Sequence, residues 1–129
     1  MKLLLDTHTL LWAAWMPEKL SAETRELIND TAHELFFSAA SIWEVAIKST
    51  LDRDDFKFDA RILRRGLLDN GYNELPITSE HAVSIDTLPK HHKDPFDRIL
   101  IAQSITEGFT FITKDKTLTQ YPGAITLVD

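Results

Sequence analysis

Lys2-Leu3-Leu4-Leu5-Asp6 is an unbroken run of leucines that ends in a carboxylic acid. Consecutive apolar residues, without an apolar–polar alternation, are typical of a strand buried on both faces of a parallel sheet. Charged side chains avoid such interiors, so Asp6 is expected where the strand reaches the edge of the sheet. The segment therefore predicts a buried strand over Lys2–Asp6 with an acidic group at its carboxyl end.

Short apolar runs alternate with amphipathic stretches along the rest of the chain. Runs rich in Leu, Phe, Ile or Val predict four further strands, at Glu34–Ser38, Glu74–Thr78, Phe109–Thr113 and Ala124–Val128. Capping residues and helical spacing predict helices over Thr7–Trp15, from Ser21 to Ala32, over Ser41–Leu51 and Asp59–Asn70, from Ser79 to Leu88, and from Asp94-Pro95 to Gly108. Strands separated by helices need crossover connections, so we predict an α/β fold: one three-layer α/β/α domain over residues 1–129 with a mainly parallel central sheet.

The composition is that of an ordinary globular domain. Of the 129 residues, 43% are hydrophobic and 26% are charged, and the net charge is −6. This charge argues against a module that coats nucleic acid through phosphate contacts alone, but not against a nuclease, because divalent cations invert the electrostatics of an acidic pocket. The chain has no cysteine, which excludes disulfides and thiolate metal sites. No apolar stretch is long enough for a secretory signal or a membrane span, so a cytoplasmic protein is expected.

Four acids fall where a parallel sheet carries its ligands, outside the carboxyl ends of the strands. Asp6 ends the first strand, and Asp115 follows the Phe109–Thr113 strand. Glu44 lies early in the helix after the second strand, and Asp97 lies in the first turn of the Asp94-Pro95 helix. Clustered carboxylates raise one another's pKa, and a hard divalent cation such as Mg²⁺ or Mn²⁺ removes that conflict. Phosphodiester hydrolysis is the reaction class that such a cluster suits.

Each of these acids also has a simpler explanation. Asp94 and Asp97 fit the N-cap and first turn of a helix, Glu44 fits a solvated helix position, and Asp115 fits a charged turn. Asp6 is harder to explain in this way, because an acid directly after three buried leucines needs a partner, a capping role or a metal. Only the joint pattern favours a site.

The basic and aromatic residues near the acids also allow more than one interpretation. Arg98, Lys93, Lys114 and Lys116 are candidates for gripping flanking phosphates, with a solvated role as the alternative. The loop over Lys90–Lys93, which contains His91 and His92, is expected to be solvated, and His8 is a candidate for the pocket mouth. The tryptophans are expected to be core or interface residues instead of base-stacking platforms: Trp12, Trp15 and Trp43.

Four segments, in this order and with these intervals, carry a resemblance to a known family: Leu3-Leu4-Leu5-Asp6-Thr7-His8, Ser38-Ala39-Ala40-Ser41-Ile42-Trp43-Glu44-Val45, His92-Lys93-Asp94-Pro95-Phe96-Asp97-Arg98-Ile99-Leu100-Ile101-Ala102-Gln103 and Phe111-Ile112-Thr113-Lys114-Asp115. They resemble PIN-domain nucleases, specifically VapC-like toxins of bacterial type II toxin–antitoxin systems. The resemblance covers nearly the whole chain.

The resemblance implies a role for each acid. Asp6 and Asp97 would be the principal metal ligands, Glu44 would complete the cluster, and Asp115 would bind a second ion or position water. Hydroxyls at Thr7 and Thr113 would orient these acids. Asp94 matches the Asp-Pro-Phe-Asp-Arg form of the third segment that one branch of the family has, and it is either a further ligand or the cap of its helix. The implied reaction is cleavage of single-stranded or looped RNA by metal-activated water, without a covalent enzyme intermediate.

The resemblance also implies partners, namely a second copy of the chain in a homodimer and a small antitoxin that covers the active site. Apolar residues of the early helices are candidates for that contact, with core packing as the alternative: Leu10, Leu11, Trp12, Trp15 and Met16. The alternative function is a catalytically silent or housekeeping PIN-fold protein that works through protein–protein interaction or RNA processing. An aspartyl phosphatase is disfavoured because His8 stands where its second acid is required, and a phospho-accepting receiver because no acidic pair accompanies a central acceptor.

Overall fold

The computed structural model describes residues 1–51, 58–90 and 94–128. Five strands lie within these ranges: β1 (Lys2–Leu5), β2 (Glu34–Ser38), β3 (Asn73–Leu75), β4 (Thr110–Thr113) and β5 (Ile125–Leu127). Six α-helices lie there too: α1 (Thr7–Trp15), α2 (Ala22–Asn29), α3 (Ala39–Ser49), α4 (Ala60–Asp69), α5 (Ser79–Ser84) and α6 (Pro95–Glu107). Short 3₁₀ turns occupy Pro17–Lys19, Ile85–Thr87 and Lys116–Gln120.

The strands form a single sheet in the order β3-β2-β1-β4-β5, and every neighbouring pair is parallel. The leucine strand β1 is central, with Leu4 opposite Phe36 on β2 and Phe111 on β4. α-Helices lie between the paired strands β1 and β2, β2 and β3, and β1 and β4, whereas β4 and β5 are connected through the 3₁₀ turn at Lys116–Gln120. The predicted α/β fold with a parallel sheet is confirmed.

Two hydrophobic cores cover the faces of this sheet. Leu4 packs in one core with residues of α6, whereas Leu3 and Leu5 pack in the other with residues of α1 and α4. All three leucines are fully buried. A strand that sends adjacent side chains into opposite cores needs apolar residues at every position, which explains the unbroken run and confirms the three-layer arrangement.

Local signals predicted α6 well and α3 and α5 less well. Asp94 caps α6 through Phe96 N, and Gly108 ends it with φ of 71°. Helix α3 begins before the predicted Ser41, because the Ser38 hydroxyl accepts from Ala40 N.

The prediction that Ser79 caps α5 is wrong. Thr78 Oγ1 accepts from His81 N, and His81 Nδ1 accepts from Thr78 N in return, so Thr78 is the cap and Ser79 is the first helical residue. Strand β3 stops at Leu75, before Pro76, and does not continue to Thr78 as predicted, because proline has no N–H for the ladder.

Two further predictions concern particular segments. In the loop predicted over Lys90–Lys93, His91, His92 and Lys93 lie outside the described residues. Among the helices of the described ranges, none combines the length and the apolar character that crossing a lipid bilayer requires.

Candidate active site

The carboxyl ends of the central strands open onto a cavity of about 450 Å³. Asp6 lies directly after β1, Asp115 lies after β4, Glu44 lies on α3, and Asp97 lies in the first turn of α6. All four predicted acids line this one cavity, together with Thr7, His8, Leu11, Lys48, Asp94, Lys114 and Lys116. The parallel sheet thus brings together acids from four distant parts of the sequence.

Asp6 is held in place through both of its carboxylate oxygens. Oδ1 accepts from Thr9 N at 2.8 Å and caps α1, and Oδ2 accepts from Thr113 Oγ1 at 2.6 Å. The Thr113 hydroxyl also accepts from Asp115 N at 3.1 Å. One threonine at the end of β4 therefore connects two acids of the cavity, and the Asp6 side chain, only 5% exposed, is preorganised by its fold.

Glu44 is equally buried and is fixed by a hydroxyl and an ammonium group. Thr7 Oγ1 donates to Glu44 Oε1 at 2.8 Å and lies 2.9 Å from Ser41 Oγ. Lys48 Nζ, one turn further along α3, lies 2.7 Å from Glu44 Oε2. The hydroxyl contacts expected at Thr7 and Thr113 are both present. Lys48 was missed in the sequence, although its spacing of four residues from Glu44 is the signal of a helical ion pair.

The electrostatics of the cavity are visible at Asp97. Burial, and after it the neighbouring carboxylates, together raise the pKa of its carboxyl to about 7: Asp94, Glu44, Asp6 and Asp115. Asp97 therefore lies where burial and the charge of neighbouring acids both favour its protonated form.

A divalent cation fits this donor set, which offers the carboxylate oxygens that Mg²⁺ and Mn²⁺ prefer. Across residues 1–51, 58–90 and 94–128, no three His, Asp or Glu side chains form a group that could hold a metal ion as they stand. Mg²⁺ does not need such a group, because it binds through one or two carboxylates and keeps several of its waters. Part of the raised pKa of Asp97 comes from the neighbouring carboxylates, and a positive ion in the cavity would offset that repulsion.

Asp94 and Asp115 combine a place in the cavity with a capping role. Asp94 Oδ1 accepts from Phe96 N, as expected for the cap of α6. Asp115 Oδ1 accepts from the backbone and the hydroxyl of Thr117 and caps the Lys116–Gln120 turn. The simpler explanations of these acids are therefore part of their geometry, and they coexist with exposure to the cavity.

The basic residues proposed from the sequence differ in their surroundings. Lys114 and Lys116 line the cavity and are exposed. Arg98 instead points into the fold, where its guanidinium donates to the carbonyls of Pro89 and Ile85 and lies 3.2 Å from the Tyr121 hydroxyl. Arg98 is not among the residues that line the cavity, and these hydrogen bonds connect α6 to neighbouring loops, so the structure gives its predicted phosphate role no support.

The tryptophans also differ from one another. Trp43 is 57% exposed and meets the Phe96 ring edge-on at 5.1 Å between centroids, so it is not a core residue. Trp12 is half-buried beside His8, and Lys114 Nζ lies 3.9 Å from the centre of its indole ring. Burial and the charge of Lys114 lower the pKa of His8, and Lys19 and Lys48 act in the same direction against Asp6. The α1 side of the cavity mouth is thus positively charged.

The chain has recognisable relatives. The PIN domain family model matches residues 3–124. Ribonuclease VapC22 of Mycobacterium tuberculosis strain H37Rv is 29% identical over 116 residues, which cover 89% of this chain and 88% of that protein.

Solved structures share the fold at low sequence identity. A chain in the crystal structure of VapBC2 from Rickettsia felis bound to a DNA fragment from its promoter superposes with a TM-score of 0.73 at 12% identity, over 100% of both chains. A chain of VapBC-1 from nontypeable Haemophilus influenzae superposes with a TM-score of 0.62 at 15% identity, over 98% of both chains.

Proposed function

The chain belongs to the PIN domain family, and from this premise we propose that it is a metal-dependent endoribonuclease that acts as the toxin of a type II toxin–antitoxin pair. The observation that carries the proposal is the convergence of Asp6, Glu44, Asp97 and Asp115 on one cavity at the carboxyl edge of the sheet. The similarity to ribonuclease VapC22 supports RNA as the substrate. The fold shared with VapBC chains supports the toxin role.

In this proposal the four acids have different roles at the metal site. Asp6 and Asp97 would be the principal ligands of Mg²⁺ or Mn²⁺, Glu44 would complete the acidic cluster, and Asp115 would bind a second ion or position water. When bound, the ion supplies a water of lowered pKa and neutralises charge that develops on the cleaved phosphate. Thr113 and Thr7 keep the carboxylates of Asp6 and Glu44 aimed into the cavity. The chain supplies alignment and charge, and no side chain becomes covalently attached to the RNA.

We further propose a small antitoxin and a second copy of this chain as protein partners. Leu10 and Leu11 are buried, so their apolar side chains serve the packing of the core and are not offered to a partner. Trp15 remains 37% exposed, and a second cavity of about 390 Å³ opens between α1, α2 and α4. Exposed apolar residues on α3, Trp43 and Ile47, offer surface for further protein contact. Co-purification with the product of the neighbouring reading frame, and sedimentation of the pure chain, test these partners separately.

The nuclease proposal is tested with the purified full-length chain and a fluorescently labelled single-stranded RNA. We expect cleavage in Mg²⁺ or Mn²⁺, no cleavage in EDTA, and loss of cleavage in Asp6→Asn and Asp97→Asn. The matched control is Asp69→Asn, which removes an exposed carboxylate at the end of α4 and should leave cleavage unchanged. Cleavage that persists in an Asp6→Asn, Asp97→Asn double variant would contradict the proposed site. Failure of the wild-type chain to bind metal or cut RNA would favour the interaction protein instead.

A further inference from the structure

A cation–aromatic pair stands at the rim of the acidic cavity, made by Lys114 and Trp12. We propose that this pair is a phosphate-binding subsite, in which Trp12 holds the Lys114 ammonium beside the cavity and Lys114 contacts an RNA phosphate next to the one that is cleaved. The inference rests on the proposed ribonuclease function and adds to it the side from which the strand enters. Lys114 is then a substrate contact, and Trp12 is a positioning residue.

The geometry fixes the ammonium group close to the acids. Lys114 directly follows Thr113, whose hydroxyl bonds to Asp6, and directly precedes Asp115, whose backbone N–H bonds to that same hydroxyl. The backbone that carries Lys114 is therefore anchored on both sides. Its side chain lies against the indole at 3.9 Å from the ring centre, within the range of a cation–π interaction. An exposed lysine is normally free to sample many rotamers, and this contact restricts it to one side of the cavity mouth.

The positive charge of Lys114 is available to a ligand, in contrast to that of Lys48. Lys48 is committed to Glu44 at 2.7 Å. Among the residues that the structure describes, no carboxylate forms an ion pair with Lys114, which is exposed and has the face of Trp12 as its partner. An aromatic face attracts the cation without neutralising it, so the ammonium can still donate to a phosphate oxygen.

A second lysine extends the same surface. Lys19 Nζ lies 5.9 Å from the centre of the Trp12 ring, and the exposed His8 ring meets Trp12 edge-on at 4.6 Å between centroids. Lys19 and Lys114 thus lie against the same ring, and Lys114 and Lys116 line a cavity whose other charged residues are mostly acids. A chain of net charge −6 repels RNA at long range, so local cations beside the site are needed to admit the phosphates that flank the cut.

The chain supplies a matched control for this pair. Lys2 Nζ lies 5.7 Å from the centre of the Phe109 ring, at the start of β1 and so at the opposite edge of the sheet from the cavity. Lys2→Ala removes the same charge from the same kind of aromatic contact. An effect of general charge or of cation–aromatic stability would appear in both variants, whereas an effect on phosphate binding would appear only at Lys114.

The test measures binding of a fluorescein-labelled oligouridylate by anisotropy at several salt concentrations, in an Asp97→Asn background that does not cleave. We expect Lys114→Ala to weaken binding about tenfold at low salt and to reduce the slope of log affinity against log salt by about 0.7, the value for one phosphate contact on a single strand. Trp12→Leu should reproduce part of both changes. Trp12→Phe, which keeps an aromatic face, should retain the affinity and the salt slope of the chain with Trp12. Lys2→Ala should change neither.

Steady-state kinetics of the same substitutions in the active chain distinguish a loss of substrate contact from a loss of folded protein. We expect Lys114→Ala and Trp12→Leu to raise KM with little change in kcat, and Trp12→Phe to stay close to the wild-type KM. An unchanged salt slope in Lys114→Ala, or an equal change in Lys2→Ala, overturns the inference even if Trp12→Leu fails to fold. If the wild-type chain cuts no RNA, the proposed function itself fails. If it cuts RNA and Lys114→Ala binds as Lys2→Ala does, only the phosphate subsite fails.

Discussion

Asp97→Asn should make the folded chain more stable at alkaline pH in the absence of divalent ions. In the unfolded chain this carboxyl has its ordinary pKa of 3.8, whereas burial and the neighbouring acids raise the pKa in the folded chain to about 7. Between those values the folded state binds more protons than the unfolded state, so the free energy of unfolding falls as pH rises through that window. Asparagine carries no charge, and the variant does not share this decline.

The size of the effect follows from the two pKa values. Each pKa unit corresponds to about 1.4 kcal/mol, so the difference between the folded and unfolded pKa values limits the loss in free energy of unfolding above pH 7 to about 4 kcal/mol. The Asp97 side chain is only partly buried, so solvent and salt screen its repulsion. We therefore expect the variant to gain on the order of 1–2 kcal/mol over the wild type at about pH 8, and much less at about pH 5.

Urea unfolding in EDTA at these two pH values measures the gain directly, with Asp69→Asn as the control for removing an exposed carboxylate. Loss of a hydrogen bond of Asp97 would change the free energy of unfolding equally at both pH values. The part of the change that depends on pH therefore reports the effect of the charge. Adding Mg²⁺ should reverse the order, because bound metal stabilises the wild type more than the variant. A wild-type chain that gains stability relative to Asp97→Asn as pH rises in EDTA would refute the electrostatic account of the cavity.

Two further substitutions test contacts around the cavity. Thr113→Val removes the hydroxyl that orients Asp6, and we expect cleavage to fall about 10- to 100-fold with the fold retained, as measured by single-turnover kinetics and circular dichroism; full activity would contradict the orienting role. Gln103→Leu removes the acceptor of the buried Ser38 hydroxyl, which donates to Gln103 Oε1 at 2.6 Å, and we expect the free energy of unfolding to drop by about 2–3 kcal/mol in urea titrations. A loss below about 0.5 kcal/mol would show that the hydroxyl finds another partner.

The fold was predictable where its cause lies within a short stretch of sequence. The leucines of β1 predict burial on both faces of the sheet. Asp94-Pro95 and Gly108 predict the two ends of α6 because they are local capping residues. The start of α3 was misplaced because Ser38 both caps this helix and donates to Gln103, 65 residues away. That long-range bond forms only in the folded chain, and no periodicity reports it.

The site was predictable in its acids and less so in its cations. Strand ends converge in any parallel sheet, so the acids at those ends were expected to share a cavity, and they do. The surroundings of a long basic side chain depend on residues that are distant in sequence. Arg98 turns inward towards Tyr121, and Lys114 lies on Trp12, and neither partner was evident from the neighbouring sequence.

The order of the strands has a consequence for the time at which the active cavity can form during synthesis. Of the five described strands, the middle one of the sheet comes first along the chain, and Leu4 can meet its partner Phe111 only after the more than 100 residues between them have been made. Until β4 is available, Asp6 lacks the Thr113 hydroxyl and Asp115 is still untranslated. A nascent or prematurely terminated chain that lacks β4 therefore carries an incomplete cluster, and such a chain should not show the ribonuclease activity that we propose.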